Sequence, residues 1–176
     1  MCGLSGIISK SDSNLNLKKE LKVMTGLISH RGPDQAGYLK HKNTYLSHVR
    51  LSVMDPRNLG RQPMSVDDRY SIIFNGEIYN FKEIRNKLIS SGYKFFTNTD
   101  TEVALNAIIE WGVKAFDYFN GDWVICFLDK KEDTLILAKD TLGSIPIYIY
   151  EDLKYFSFCS EIKGFEAIDS IKLNKD

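Results

Sequence analysis

Four groups of residues in this chain have types and neighbours that could do chemistry. The first is Cys2. Methionine aminopeptidases remove Met1 when the second residue is small, and cysteine qualifies. The mature chain is therefore expected to start with a thiol and a free α-amine on one residue. An α-amine titrates near pH ~8, well below lysine, so part of it is neutral and can accept a proton. It can activate its own nucleophile, which removes the need for a catalytic histidine. The second group is Asn75-Gly76, within Phe74-Asn75-Gly76-Glu77-Ile78-Tyr79-Asn80. A side-chain amide and an adjacent glycine N–H can donate together to a developing oxyanion, as a tetrahedral intermediate on a carboxamide requires. The third is Arg50, whose guanidinium could hold a substrate carboxylate through two parallel hydrogen bonds. The fourth is Asp100, which could hold an ammonium group. An arginine for a carboxylate and an aspartate for an ammonium would together select an α-amino acid. The carboxamide donors and the thiol would then narrow it to glutamine.

Each group has a plainer reading when taken alone. Cys2 is an incidental second residue, and Asn-Gly after an apolar run is a turn. Arg50 is a surface arginine on an edge strand. Asp100 sits at a helix start because the helix dipole favours an acid there.

These residues must be positioned by a scaffold, and the hydrophobic pattern outlines one. Leu4 to Ile8 reads as a short buried strand. Leu17, Leu21, Met24 and Ile28 recur at helical spacing and mark an amphipathic helix. Residues 30–37 contain Gly and Pro and read as a loop, and strand-like runs follow at about 44–55 and 70–75. Asn80 caps a helix with Glu83 placed for a capping box; Phe81, Ile84 and Leu88 form its apolar face and Gly92 ends it. Thr99 and Glu102 repeat that signal before a helix reaching about Trp111. Strands near 122–129, 133–139, 146–150 and 154–159 come next, and a short helix around Glu161 to Phe165 closes the pattern. Strands, then two adjacent helices, then strands again fit an α+β layered fold better than βαβ repeats.

Bulk properties narrow the function class. The 176 residues, 43% hydrophobic, suit one domain with a sizeable core, and no linker, repeat or low-complexity tract divides them. Lys plus Arg and Asp plus Glu both total 23, so nothing electrostatic points to nucleic acid or an anionic membrane. The apolar runs are strand length, and the N-terminus lacks the pattern of a signal peptide. Three cysteines, an odd number with no export signal, argue for reduced thiols in the cytoplasm. Cys126 and Cys159 read as small core residues on buried strands. His30, His41 and His48 are scattered and form no metal set.

The same residues carry a family resemblance. Met1-Cys2-Gly3-Leu4-Ser5-Gly6-Ile7 resembles the start of class II glutamine amidotransferases, the N-terminal-nucleophile type. His30-Arg31-Gly32-Pro33-Asp34 with Gly37, Arg50-Leu51-Ser52-Val53, Gln62-Pro63-Met64, Asn75-Gly76-Glu77-Ile78-Tyr79-Asn80, Thr99-Asp100-Thr101-Glu102 and Ser160-Glu161-Ile162-Lys163 resemble the asparagine synthetase branch. The match runs in order from residue 2 to about 165, and its joint order and spacing outweigh the plainer readings. Arg50 followed by Leu51-Ser52 is similar to that branch; the glucosamine-6-phosphate synthase and purine branches have an aromatic and small residues there. The resemblance implies a four-layer αββα sandwich of two antiparallel sheets, the N-terminal-nucleophile hydrolase fold. It implies that Cys2 attacks glutamine, with Asn75 and Gly76 forming the oxyanion hole. Arg50 would hold the substrate carboxylate and Asp100, helped by Glu77, its ammonium, while Leu51 and Val53 would add backbone contacts. The domain itself would use no cofactor or metal. ATP and Mg would belong to a synthetase domain or partner, where the ammonia meets an activated carboxylate, most simply that of aspartate, giving asparagine.

Two departures qualify that picture. The family commonly shows Asp-Arg-x-Gly-x-Lys-Pro-Leu-Tyr late in the domain, where this chain has Asp140-Thr141-Leu142-Gly143-Ser144-Ile145-Pro146-Ile147-Tyr148. Thr141 and Ile145 replace both cations, which resembles relatives that make other amides and leaves the acceptor open. The pyrophosphate loop of the synthetase domain, a Ser-Gly-Gly-x-Asp-Ser-like signature, is absent from these 176 residues. A fragment and a stand-alone glutaminase with a partner subunit both fit that absence. A non-catalytic scaffold domain is the rival from another class, against which the joint retention of Cys2, Arg50, Asn75, Gly76 and Asp100 argues.

Overall fold

The computed structural model describes residues 1–10, 16–52 and 58–168. The chain forms two compact units, one of Met1–Leu51 with Pro146–Asp176 and the other of Ser52–Ile145. Each is an antiparallel sheet with helices packed on it.

The first unit contains β1 (Gly3–Ser9), α1 (Lys18–Leu27), β2 (Gln35–His41), β3 (Thr44–Arg50), β8 (Tyr148–Glu151) and β9 (Tyr155–Cys159), with 3-10 turns at Ser29–Arg31 and Ile162–Ala167. Its five strands lie in the order β2-β3-β1-β9-β8. β1 sits at the centre, paired to β3 on one side and β9 on the other. It is buried on both faces, which accounts for its continuous apolar run. α1 lays Leu21, Met24 and the flanking Leu17 and Ile28 into a core with Ile7, Val49 and Phe165. The helical spacing of those four residues is thus the register of the buried face. The expected loop over 30–37 holds only to Asp34, because β2 begins at Gln35. This strand escapes sequence patterning because it is an edge strand containing Gly37 with partly exposed charged residues.

The second unit contains β4 (Met64–Val66), β5 (Tyr70–Ile78), α2 (Phe81–Ser90), α3 (Asp100–Trp111), β6 (Gly121–Asp129) and β7 (Thr134–Lys139), with 3-10 turns at Asn58–Gly60 and Gly112–Tyr118. The strand order is β4-β5-β6-β7. Ile72, Phe74, Trp123 and Ile125 from the sheet pack with Ile84, Leu88, Val103 and Ile108 from the helices. α3 is buried on nearly all sides over its first nine residues, so it serves as the core helix of this unit. Its N-cap is as expected: Thr99 Oγ1 accepts from Glu102 N–H at 3.3 Å. The Glu102 carboxylate takes the N–H groups of Phe96 and Thr97 (2.8 and 2.7 Å), fixing the loop ahead of the helix.

The capping box expected at Asn80 does not form. Asn80 occupies the N-cap position, but its side chain makes no capping bond. It accepts from Asn120 N–H at 3.0 Å and donates to Tyr118 carbonyl oxygen at 2.9 Å, closing the loop before β6 instead. A longer-range pair of bonds to backbone has won over the local one. Gly92 lies at φ +95 just beyond the end of α2, in agreement with a glycine stop.

Cys126 and Cys159 are fully buried on β6 and β9. Burial pushes both thiols up, that of Cys159 to about 11, so neither is a nucleophile at neutral pH. All three cysteines are reduced thiols. No helix of the described residues is long and apolar enough to cross a membrane.

Candidate active site

Cys2 precedes β1, which continues from Gly3 through the centre of the first sheet. Its sulfur lies against the backbone of Leu51, accepting from Leu51 N–H at 3.4 Å and facing Leu51 carbonyl oxygen at 3.7 Å. Two further motifs hold the backbone here. Arg31 Nε donates to Cys2 carbonyl oxygen at 2.9 Å, and Arg31 NH1 reaches Glu161 at 3.2 Å. Glu161 also pairs with His30 at 2.8 Å and Lys163 at 3.0 Å. Burial works to raise the Glu161 carboxyl, but the hydrogen bonds from Lys163, Arg31 and His30 outweigh it and hold it below the ordinary glutamate range. Ser160 completes the arrangement: its hydroxyl takes Leu4 N–H and its N–H donates to Leu4 carbonyl oxygen, both at 3.0 Å. The role of Arg31 and Glu161 in fixing the first residues was not read from the sequence. The signal that could have found it was the pairing of the two quoted motifs, which lie 130 residues apart.

Arg50 ends β3, between β2 and β1, and is 4% exposed. This overturns the surface-arginine reading: the strand is internal and the side chain buried. Arg50 NH1 donates to Gln35 at 3.3 Å. The loop before β2 is pressed onto this strand end, with Asp34 N–H donating to Arg50 carbonyl oxygen at 3.1 Å. Gly32 makes that approach possible, since a Cβ there would lie 2.4–2.5 Å from the backbone of Val49 and Arg50. Val53, expected to touch substrate, falls outside the described residues.

Asn75, Gly76 and Glu77 lie within β5 and pair in register with Val124, Trp123 and Asp122 of β6. The Asn-Gly pair is therefore mid-strand, and the turn reading is overturned. Asn75 is 2% exposed, and its Nδ2 is buried with no hydrogen-bond partner among the described residues. An orphaned buried amide donor costs about 1–3 kcal/mol and calls for an explanation. Gly76 adopts φ +138, and a Cβ would lie 2.1 Å from Asp122 carbonyl oxygen. No other residue fits that backbone. N–H groups alternate along a strand, so Phe74 and Ile78 turn theirs to the edge away from β6. Gln62 takes that of Phe74 at 2.6 Å and Asp100 that of Ile78 at 3.1 Å. Regular alternation would put the Gly76 N–H on that same edge, between Phe74 and Ile78, and Gly76 follows Asn75 directly in the chain. Glu77 is exposed.

Asp100 opens α3 and is 4% exposed. Burial pushes its carboxyl up to about 6 against the lowering effect of hydrogen bonds from Ile78 and Thr101 N–H, and the charge of Glu77 pushes the same way as burial. The folded-state value lies above the ordinary 3.8, so ionisation of Asp100 destabilises the fold as pH rises. The cost is full above about pH 6 and absent below about 4. Asp100→Asn removes it while losing one acceptor, a net gain of roughly 1–2 kcal/mol at pH 8. The expected result is a Tm higher by about 2–6 °C at pH 8, with no gain at pH 4. A lower Tm for the variant at pH 8 would contradict this account. A buried carboxylate that costs stability is placed as functional groups are placed.

Residues expected to serve the site thus fall into two sets. The first unit joins Cys2 to Leu51 and ends β3 on Arg50, while the second aligns Asn75, Gly76 and Glu77 on β5 and ties Asp100 to the same strand. No cluster of three or more His, Cys, Asp or Glu among the described residues could hold a metal ion.

The chain belongs to the family described as glutamine amidotransferase domain, which it matches over residues 1–176. It is 36% identical to asparagine synthetase (glutamine-hydrolyzing) 3 of Bacillus subtilis, covering 100% of this chain and 29% of that protein. It is 38% identical to putative asparagine synthetase (glutamine-hydrolyzing) 2 of Methanocaldococcus jannaschii, over 100% of this chain and 38% of that one. The chain thus spans about a third of the length of these relatives. Glutamine phosphoribosylpyrophosphate amidotransferase of B. subtilis shares the fold, with a TM-score of 0.80 at 19% identity over 96% of this chain and 44% of that chain.

Proposed function

We propose that this chain hydrolyses L-glutamine to glutamate and ammonia through a thioester on Cys2. The observation that supports the reading is the buried Nδ2 of Asn75, which has no hydrogen-bond partner among the described residues and directly precedes Gly76 in β5. Two donors held ready on a rigid strand suit the oxyanion of a carboxamide under attack. The free α-amine takes the thiol proton, and the sulfur adds to the carboxamide carbon. The oxyanion then collapses and the C–N bond breaks. The nitrogen leaves as ammonia with the proton the α-amine had taken, and water cleaves the thioester to give glutamate and restore the thiol. Arg50 would hold the substrate carboxylate and Asp100, with Glu77, the ammonium. Because Asp100 must be ionised for this, glutamine binding weakens as pH falls below about 6. Asp100→Asn weakens it at least roughly tenfold at neutral pH, the cost of a lost charge-assisted bond.

In the complete system the ammonia would pass to a carboxylate activated with ATP and Mg in a synthetase domain or subunit, most simply aspartate. Thr141, exposed, and Ile145, buried, stand where the family commonly has cations, so a different acceptor is the second reading. The reduced thiols suit a cytoplasmic setting.

The mechanism needs Met1 removed, and Met1 is 67% exposed, within reach of an aminopeptidase. Intact-mass measurement of an active preparation is expected to show a chain beginning at Cys2. Full glutaminase activity with Met1 retained would rule the mechanism out, since the α-amine would then be an amide. Ammonia release from glutamine by the processed protein tests the reaction itself, and its absence with and without a synthetase partner would favour a scaffold domain.

A further inference from the structure

We propose that Gln62 is a positioning residue that fixes the oxyanion strand against the start of α3; this rests on the reading of Asn75 and Gly76 as oxyanion donors. Gln62 is buried and uses both ends of its amide. Its Oε1 accepts from Phe74 N–H at 2.6 Å, and its Nε2 donates to Thr101 Oγ1 at 3.3 Å. Phe74 directly precedes Asn75, and Thr101 directly follows Asp100. One side chain therefore binds the neighbour of the oxyanion donor and the neighbour of the ammonium ligand.

The sheet shows why such a residue is needed. β4 pairs with β5 only at residues 70–72, ending with Met64 opposite Ile72. From Phe74 onward the edge of β5 away from β6 has no strand beside it among the described residues. β6 pairs with β5 as far as Ile78, but the N–H groups on the other edge of β5 have no strand partner there. Gln62 replaces the missing strand at Phe74, and Asp100 does so at Ile78. Gly76 lies midway between these two fixed points. Those points are joined through Thr101, so the place of Gly76 and that of the Asp100 carboxylate are set together. The requirement is chemical: an acceptor for an amide and a donor for a hydroxyl on one side chain of this length. Glutamate offers only the acceptor and leucine neither.

The test is steady-state glutamine hydrolysis by the intact processed protein carrying Gln62→Leu, Gln62→Glu, Thr101→Val or Asn75→Ala, and by Gln62→Leu combined with Asn75→Ala. Displacing an oxyanion donor by a fraction of an ångström is expected to lower kcat about 10–100-fold for Gln62→Leu, with KM changed less. Gln62→Glu keeps the Phe74 bond but loses the donor to Thr101, so its kcat is expected to fall between those of the wild type and Gln62→Leu. In the Asn75→Ala background the Gln62→Leu loss is expected to shrink, because one of the donors it positions is already gone. A purely structural role would lower activity by the same factor in both backgrounds, and that additivity would overturn the proposal, as would wild-type kcat in Gln62→Leu. Should Gln62→Leu not fold, Thr101→Val cuts only the link to α3, and its cycle with Asn75→Ala must show the same coupling; additivity there overturns the proposal too. Asn75→Ala also separates the two claims. Wild-type kcat in that variant removes the oxyanion assignment and this inference with it. A large loss in Asn75→Ala with an unchanged Gln62→Leu removes this inference alone.

Discussion

Cys2→Ala is expected to abolish glutamine-dependent ammonia release while leaving the fold in place. Removing a nucleophile that acts as a unit with its base and oxyanion donors costs roughly 10⁴-fold or more in kcat. The structural cost is small, because Cys2 is only half-buried ahead of β1 and its sulfur contacts the Leu51 backbone rather than a packed core. Alanine is also small enough for Met1 to be removed, so the variant keeps its free α-amine and isolates the loss of the thiol. Intact mass and circular dichroism serve as controls for processing and folding. Equal ammonia release by the wild type and Cys2→Ala would rule out the thioester.

Asn75→Ala is expected to lower kcat by about 10²–10³, the loss typical for one side-chain oxyanion donor. KM should change much less, since the donor matters most once negative charge has developed on the carboxamide oxygen. The expected effect on stability sets this variant apart from an ordinary core truncation. A buried hydrogen-bonded asparagine would leave a broken network behind, whereas Asn75 Nδ2 has no partner among the described residues to lose. The Tm should therefore stay close to that of the wild type, as the small cavity is offset by removal of an unsatisfied donor. Parallel melting curves and steady-state kinetics check this. A variant that loses stability and keeps kcat would make Asn75 a structural residue and remove the observation on which the proposed function stands.

Several elements were legible before any coordinates. The 3.6-residue spacing of Leu17, Leu21, Met24 and Ile28 is the buried face of α1, and Thr99 is the N-cap of α3. These are local signals, decided within a turn of helix, and they need no partner from elsewhere in the chain. The misses share a different cause. β4 spans only three residues and β2 carries a mid-strand Gly37, so neither showed a strand-length apolar run, although the edge strands β7 and β8 did. At Asn80 the local capping signal was correct in type and wrong in outcome, because Tyr118 and Asn120 offered better partners.

For the site, residue types and order were enough to name Cys2, Arg50, Asn75, Gly76 and Asp100 and the chemistry each could do. Sequence could not say that Arg50 is buried on an internal strand, that Asn75-Gly76 is mid-strand rather than a turn, or that Asp100 is held to Ile78. Nor could it say that Arg31 and Glu161 fasten Cys2, or that Gln62 spans β5 and α3. Identity and spacing are properties of the chain and determine which groups are available. Burial, hydrogen-bond partners and the carboxyl of Asp100 raised by desolvation depend on residues distant in sequence, and exist only once the chain has folded.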